Sequence, residues 1–490
     1  MVFSSLIFLY AFFSLSLLAY SFCRTRNSQN AVLLVFSLIF YAWGEPKYVF
    51  LLMFMAFNAW ACALAVERAQ SRTWKKFWVL ISSVIDIALI GWFKYAGLIA
   101  SLFGPVPEFI ARIALPIGIS FYTFQLLTYV VDVYREDAPA QKNYFNVLLY
   151  AALFHQCIAG PIVRYKTVDR ELFRVERRKP EVAVGVSRFC AGLAKKALLA
   201  NPCGALANQL ILSDSVLADA SLFAENLAHL NGQTVLGAWL GIIAYGLHIY
   251  LDFSAYSDMA IGMGRMLGLH YMENFNYPYI SRTVTEFWRR WHMSLGTFFR
   301  DYVYIPLGGS RCSWGRSVFN TFVVWALTGL WHGASWNFLI WGLWFFVFLM
   351  IERLFLKKIL EKLPVLSNLY LIVVVMLGWV IFRFTNLELG LTLARSLFGL
   401  NGNDLSSFFT LNTLKSNMFL LAVCIAACLP VAKNVRIAIE NHLQGYYRGK
   451  GAVCVLWNIL FYSIIPVILL MMSTASLVGD SYNPFIYFQF

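Results

Sequence analysis

The chain has 490 residues, of which 60% are hydrophobic and 17% aromatic, while Asp, Glu, Lys and Arg together supply 13%. Such a surplus of apolar residues along the whole length excludes an ordinary soluble globular domain and points to a polytopic membrane protein. The net charge of +14 lies mostly in short loops between apolar spans, where cytoplasmic retention explains it and nucleic acid is not expected as a partner.

A hydrocarbon core needs about 20 apolar residues per helical crossing. The pattern predicts spans near 1–22, 31–43, 48–66, 77–103, 109–131, 183–212, 235–265, 366–385, 416–431 and 452–474, with two irregular apolar stretches at 144–159 and 317–351. No basic residue precedes the first span, and Arg24 and Arg26 follow it directly. It therefore reads as a retained helix rather than a cleaved signal peptide.

Loop charges orient these spans. Arg24 and Arg26, then Arg68, Arg72, Lys75 and Lys76, place the first two basic loops inside and the N-terminus outside. The loops 164–179 and 282–316, the latter with Arg282, Arg289, Arg290, Arg300, Arg311 and Arg316, are likewise cytoplasmic. Segment 213–232 carries Asp214, Asp219 and Glu225 without Lys or Arg and fits the outside, as does 386–415. Parity then requires 144–159 and 317–351 to enter and leave on one side, as broken or hairpin helices buried in protein. Lys433, Arg436, Arg448 and Lys450 place the last loop inside, so residues 475–490 form an extracytoplasmic aromatic tail. The expected architecture is all-α: one integral membrane domain over 1–490, with broken or re-entrant and interfacial helices.

Several chemistries are poorly supported. The nine cysteines contain no C-x-x-C pair, so neither a zinc site nor a disulfide framework is indicated, and no metal is expected. There is no G-x-x-x-x-G-K-[ST], H-E-x-x-H or G-x-S-x-G. Gly262, Gly264 and Gly268 have the wrong spacing for a nucleotide loop and suit close helix packing.

Ionisable residues at membrane depth are costly and mark candidate sites. His332, in Gly329-Leu330-Trp331-His332-Gly333-Ala334-Ser335-Trp336, has two readings. It is a structural histidine packed on Trp331 or Trp336, or a base that accepts a hydroxyl proton during acyl transfer. In the second, Gly333 and Ala334 permit close approach of a substrate, and Ser335 and Asn337 orient the ring or the acyl carbonyl. His292 follows Trp288 by one turn in Glu286-Phe287-Trp288-Arg289-Arg290-Trp291-His292. That segment is an interfacial amphipathic helix, or a place where Arg289, Arg290 and Arg300, with Trp291, receive a phosphate-bearing thioester. His248 and Asp252, one turn apart, can satisfy each other as a buried hydrogen bond. Asp86 and Lys94 form a buried ion pair, or Lys94 snorkels to an interface. His155 lies on the irregular segment 144–159 and is a cavity-lining candidate.

These residues resemble the membrane-bound O-acyltransferase (MBOAT) family, within it the bacterial branch typified by the alginate O-acetylation membrane subunit. The resemblance runs from Met1–Ser5 (MVFSS) through Leu115–Tyr122 (LPIGISFY), 159–162 (AGPI), Tyr250–Asp258 (YLDFSAYSD) and Met272–Phe275 (MENF). It continues through Pro278–Ser281 (PYIS), Glu286–His292 (EFWRRWH), Arg300–Tyr302 (RDY), Ile305–Gly309 (IPLGG) and Leu330–Gly333 (LWHG). One departure is Thr297-Phe298-Phe299 in place of a more usual Thr-Trp-Leu.

The resemblance implies a helical bundle around a central cavity or tunnel, with the catalytic histidine at His332 and a second functional histidine at His292. It implies a cytosolic acetyl donor, acetyl-CoA, as substrate, no permanently bound cofactor, and a cell-envelope polysaccharide acetylated outside. It also implies an extracytoplasmic, SGNH-like acetyltransferase as partner, beside membrane lipid. The last residues, Phe485 to Phe490 (FIYFQF), resemble the C-terminal aromatic motif of the small partner peptide in teichoic acid D-alanylation. On that reading Tyr487 is a covalent acyl carrier, since a phenyl ester is activated and can be passed onward; otherwise the tail is an interfacial anchor. The competing function is a transporter or channel for a solute or lipid-linked precursor, suggested by broken helices and intramembrane charges.

Overall fold

The computed structural model describes residues 2–158, 160–173, 181–447 and 451–479, with side chains left undescribed at 444–447. Every regular element among them is helical. The principal helices are α1 (Ile7–Phe22), α2 (Arg26–Gly44), α3 (Val49–Arg68), α4 (Arg72–Ser101), α5 (Ile119–Tyr134), α6 (Tyr144–Ala152), α7 (Phe154–Cys157) and α8 (Val235–Met266). They continue with α9 (Val284–Arg290), α10 (Met293–Phe299), α11 (Trp314–His332), α12 (Trp336–Leu360), α13 (Pro364–Arg383), α14 (Phe408–Ala427) and α15 (Ala452–Gly479). Seven of these, α3, α4, α8, α12, α13, α14 and α15, are long and apolar enough to cross a membrane, so the chain is a multi-pass membrane protein.

Two compact units are present, one within Met1–Leu193 and Tyr256–Glu273, the other within Ala194–Ala255 and Asn274–Phe490. In the first, α3 packs on α4, α5 and α6. Phe12 and Phe40 close around Phe154, with ring centroids 5.4 and 5.9 Å away. The irregular stretch 144–159 is a helix broken at Leu153, and the Phe154 N–H freed by the break donates to Ser37 Oγ at 3.2 Å. A buried backbone group in lipid needs such a partner. A Cβ on Gly262 would lie 2.7 Å from the Gly185 carbonyl oxygen, so that glycine serves helix packing.

Asp86 and Lys94 are not an ion pair. Asn58 donates to Asp86 Oδ1 at 3.4 Å, and Lys94 reaches Ser120 Oγ at 3.5 Å. Their spacing on one helix suggested a pair, but neighbouring helices supply nearer partners.

In the second unit, α11 and α12 form an antiparallel hairpin closed by the extended residues Gly333 and Ser335. Gly329 faces the Phe338 carbonyl and Gly342 faces the Trp325 carbonyl, each so closely that a Cβ would lie 2.3 Å from the oxygen. α13 packs beside α12, where Trp344 Nε1 donates to the Val374 carbonyl at 3.0 Å. This hairpin carries His332 at the end of its first arm.

Candidate active site

The geometry begins at the short helix α9. Thr283 accepts from the Glu286 N–H at 3.0 Å, while the Glu286 carboxylate accepts from the Arg282 N–H at 3.0 Å. The first-turn N–H groups that a helix leaves unpaired are met by a second carboxylate. Glu352, 2% exposed, accepts from the N–H groups of Val284 and Thr285 at 2.5 and 2.9 Å, the Thr285 hydroxyl at 2.6 Å and the Tyr370 hydroxyl at 3.2 Å. A buried anion at a helix N-terminus is favoured by the dipole as well as by these bonds. It anchors the start of the Phe287-Trp288-Arg289-Arg290 helix.

That helix stops at Arg290, so His292 does not continue it one turn beyond Trp288, as the sequence suggested. Trp291 is extended, and His292 adopts φ 44°, ψ 53°, in the left-handed region. Non-glycine residues enter this region at a cost of about 1–3 kcal/mol and persist where the surroundings over-determine them. Here residues 274–276 do so: the Asn276 N–H donates to the Arg290 carbonyl and the Met293 N–H donates to the Asn274 carbonyl, both at 2.9 Å. The Asn274 side-chain oxygen lies 3.1 Å from His292 Nδ1 and accepts from the Ser294 hydroxyl at 2.8 Å and the Ser294 N–H at 3.2 Å. Phe253 and Trp331 flank the imidazole at 4.7 and 5.7 Å. Burial pushes the His292 pKa down to about 3, leaving the ring neutral at physiological pH.

His332 is the last residue of α11 and 5% exposed. The rings of Trp341, Trp331 and Phe382 surround it at 4.8, 4.9 and 5.3 Å. Trp331 thus touches both histidines. A Cβ on Gly333 would fall 2.2 Å from the Phe338 ring, and Phe338 packs on Phe382 at 5.1 Å. The small residue after His332 is therefore required by packing inside the protein, before any substrate is considered. Asn337 does not orient the His332 ring through its amide nitrogen, which donates to the Ile381 and Phe382 carbonyls at 3.2 Å each. It holds the segment bearing Phe382 instead. Ser335, half-buried, stands at the start of α12 and makes no side-chain cap.

The other sequence candidates divide. Arg290 pairs with Glu286 at 2.8 Å and Arg300 with Asp301 at 2.7 Å, whereas Arg289 is exposed. Trp291 is 3% exposed and packs on Trp379, Phe275 and Phe287 at 5.1, 5.2 and 5.5 Å. Its ring belongs to the core, away from the donor-contact role assigned to it beside the arginines. His248 and Asp252 do not bond to each other in the described contacts: His248 Nδ1 meets the Ala200 carbonyl at 2.8 Å, and Asp252 pairs with Lys196 at 2.9 Å, both fully buried. His155, in the other unit, is fully buried and bonded through Nδ1 to the Tyr271 hydroxyl at 2.8 Å. Tyr487 lies outside the described residues.

Sequence reasoning missed Asn274, Glu352 and Lys196. Lys196 had a readable signal, a lysine inside the apolar span 183–212. Asn274 and Glu352 act across long sequence separations and gave none beyond the motif around Asn274.

Comparison with known proteins now defines the class. The MBOAT, membrane-bound O-acyltransferase family, matches residues 38–393, and the chain belongs to this family. It is 36% identical to the probable alginate O-acetylase AlgI of Azotobacter vinelandii, with all of both chains covered. It is 30% identical to the peptidoglycan O-acetyltransferase of Helicobacter pylori, covering all of this chain and 98% of that one. A teichoic acid D-alanyltransferase of Bacillus subtilis is 28% identical over 49% of this chain and 60% of its own. The protein is thus a membrane O-acyltransferase related to polysaccharide and peptidoglycan O-acetylating enzymes, and the transporter alternative is set aside.

Proposed function

We propose that this O-acyltransferase takes acetyl from cytosolic acetyl-CoA and delivers it across the inner membrane for O-acetylation of a cell-envelope polysaccharide. The observation that carries the reading is the pair of buried histidines meeting on one indole, Trp331. In the reaction, His332 takes the proton of the acceptor hydroxyl as its oxygen attacks the thioester carbonyl carbon. The C–S bond then breaks, and the departing coenzyme A thiolate is protonated. A desolvated aromatic surround lets a neutral imidazole act without competition from water.

Arg289, exposed beside the paired Arg290, and Arg300 on the following segment serve the donor's phosphates from the cytoplasmic face. The acceptor is Tyr487 of the extracytoplasmic tail, which forms a phenyl ester and passes acetyl to an extracytoplasmic, SGNH-like transferase. The helical fold would surround the passage that joins the two sides, with both termini outside.

The test is envelope-glycan O-acetylation in cells lacking the protein, complemented by wild type, His332→Ala or Tyr487→Phe at equal membrane abundance. Restoration by wild type alone supports both roles. Full restoration by Tyr487→Phe, which keeps an aromatic anchor but no hydroxyl, removes the relay; full restoration by His332→Ala removes the base.

A further inference from the structure

Which nitrogen of a histidine carries the proton decides what the ring can do, and hydrogens are inferred from the groups around it. Around His292 one atom settles the matter. Asn274 Oδ1 receives the backbone N–H of Ser294 at 3.2 Å and the Ser294 hydroxyl at 2.8 Å. A backbone N–H can only donate, so the side-chain atom that meets it is the carbonyl oxygen and not the amide nitrogen. The same oxygen lies 3.1 Å from His292 Nδ1. Two acceptors cannot bond, so Nδ1 bears the hydrogen.

The Ser294 hydroxyl agrees with this assignment. Its proton is directed at Asn274, so the oxygen turns a lone pair toward Nδ1, 3.4 Å away. Asn274 also grips the turn through its main chain, accepting the Met293 N–H at 2.9 Å. The left-handed backbone of His292 is what brings the ring and the Ser294 N–H to one oxygen.

We propose that Asn274 is a positioning residue that fixes His292 as its Nδ1–H tautomer, making Nε2 the hydrogen-bond-accepting nitrogen of this second histidine. The tautomer stands on local geometry alone; only its consequence rests on the acyl-transfer reading. With the lone pair on Nε2, His292 serves the reaction by receiving a proton or hydrogen bond, and it does not donate to a developing oxyanion. Among the described contacts of His292, the rings of Phe253, Phe275 and Trp331 carry no titratable group, and Arg290 on the preceding helix is paired with Glu286.

The direct test is nitrogen NMR of the full-length protein in nanodiscs with 15N-labelled histidine, the His292 signals being identified by their loss in His292→Gln. The expected result is a protonated Nδ1 and an unprotonated Nε2; an Nε2–H ring or an exchanging mixture would overturn the proposal. Asn274→Asp supplies a second readout that needs no assignment. A carboxylate against Nδ1 favours the imidazolium, so the acidic limb of the acetyl-transfer profile should move up by about 1–3 pH units. Asn274→Leu should lower transfer about 10²-fold at every pH. A purely structural asparagine would give Asn274→Asp a loss with an unmoved profile, which also overturns the proposal. Full transfer by His292→Gln would remove His292 from the chemistry while leaving the NMR result standing, so the two failures are distinguishable.

Discussion

His332 and His292 meet the same tryptophan, yet their described contacts differ. The described contacts of His332 are aromatic rings, Trp341, Trp331 and Phe382, which confine the imidazole by shape. His292 is tied at Nδ1, on a left-handed backbone that residues 274–276 secure. A ring bonded through Nδ1 has one nitrogen assigned in advance. The difference fits the proposed division between His332 as base and His292 as a partner with a set orientation.

Four substitutions would break or sharpen this contrast. Trp341→Ala removes the nearest wall of the His332 cage; with Trp341 fully buried, stability should fall by about 3–5 kcal/mol. Thermal unfolding in detergent would check it, and a wild-type melting temperature would mean the ring is not confined by shape. Lys196→Met probes a bond-held group elsewhere in the same unit. It leaves Asp252 buried without its 2.9 Å partner, which should also cost about 3–5 kcal/mol. Adding Asp252→Leu should restore much of that loss, and failure to do so would show that the pair acts through more than its charge.

Gly333→Ala forces the Phe338 ring to move, since the new methyl would lie 2.2 Å from it. Overpacking of this kind costs about 1–3 kcal/mol, and acetyl transfer should fall with it. Phe338→Leu in the same chain should recover part of both, a compensation that melting curves and transfer rates would register. Ser294→Ala is the mildest change, deleting one hydroxyl from the Asn274 oxygen. About 1 kcal/mol is expected, with transfer reduced less than it is by Asn274→Leu; the reverse order would shift the orienting role to Ser294.

Much of the helical order was legible because apolar run length is a strong signal in membrane proteins. Loop-charge parity calls for broken or hairpin helices at both 144–159 and 317–351, and both segments are interrupted, at Leu153 and at Gly333 to Ser335. Boundaries set by caps were less visible. The span placed at 416–431 is a helix over Phe408–Ala427, started by a capping box between Ser407 and Thr410. The span placed at 109–131 begins its long helix only at Ile119, after a left-handed Gly118.

The candidate site was legible as residue types more than as geometry. His332 stands out as the lone ionisable group in a tryptophan-rich run. Trp288 and His292 have helical spacing, but bonds from the distant Asn274 and Asn276 hold the chain where the helix ends at Arg290. His248 and Asp252 have bonding spacing too, but Ala200 and Lys196 offer each a closer fit. Local spacing lists what is possible within one helix, and the choice among partners is made by neighbouring segments.

The most direct test is transfer of labelled acetyl from acetyl-CoA by the purified full-length protein in nanodiscs, wild type beside His332→Ala, with melting temperatures measured for both. The account predicts that wild type consumes acetyl-CoA and that His332→Ala, folded to the same melting temperature, is slower by about 10³-fold or more. Equal rates in the two proteins would contradict it.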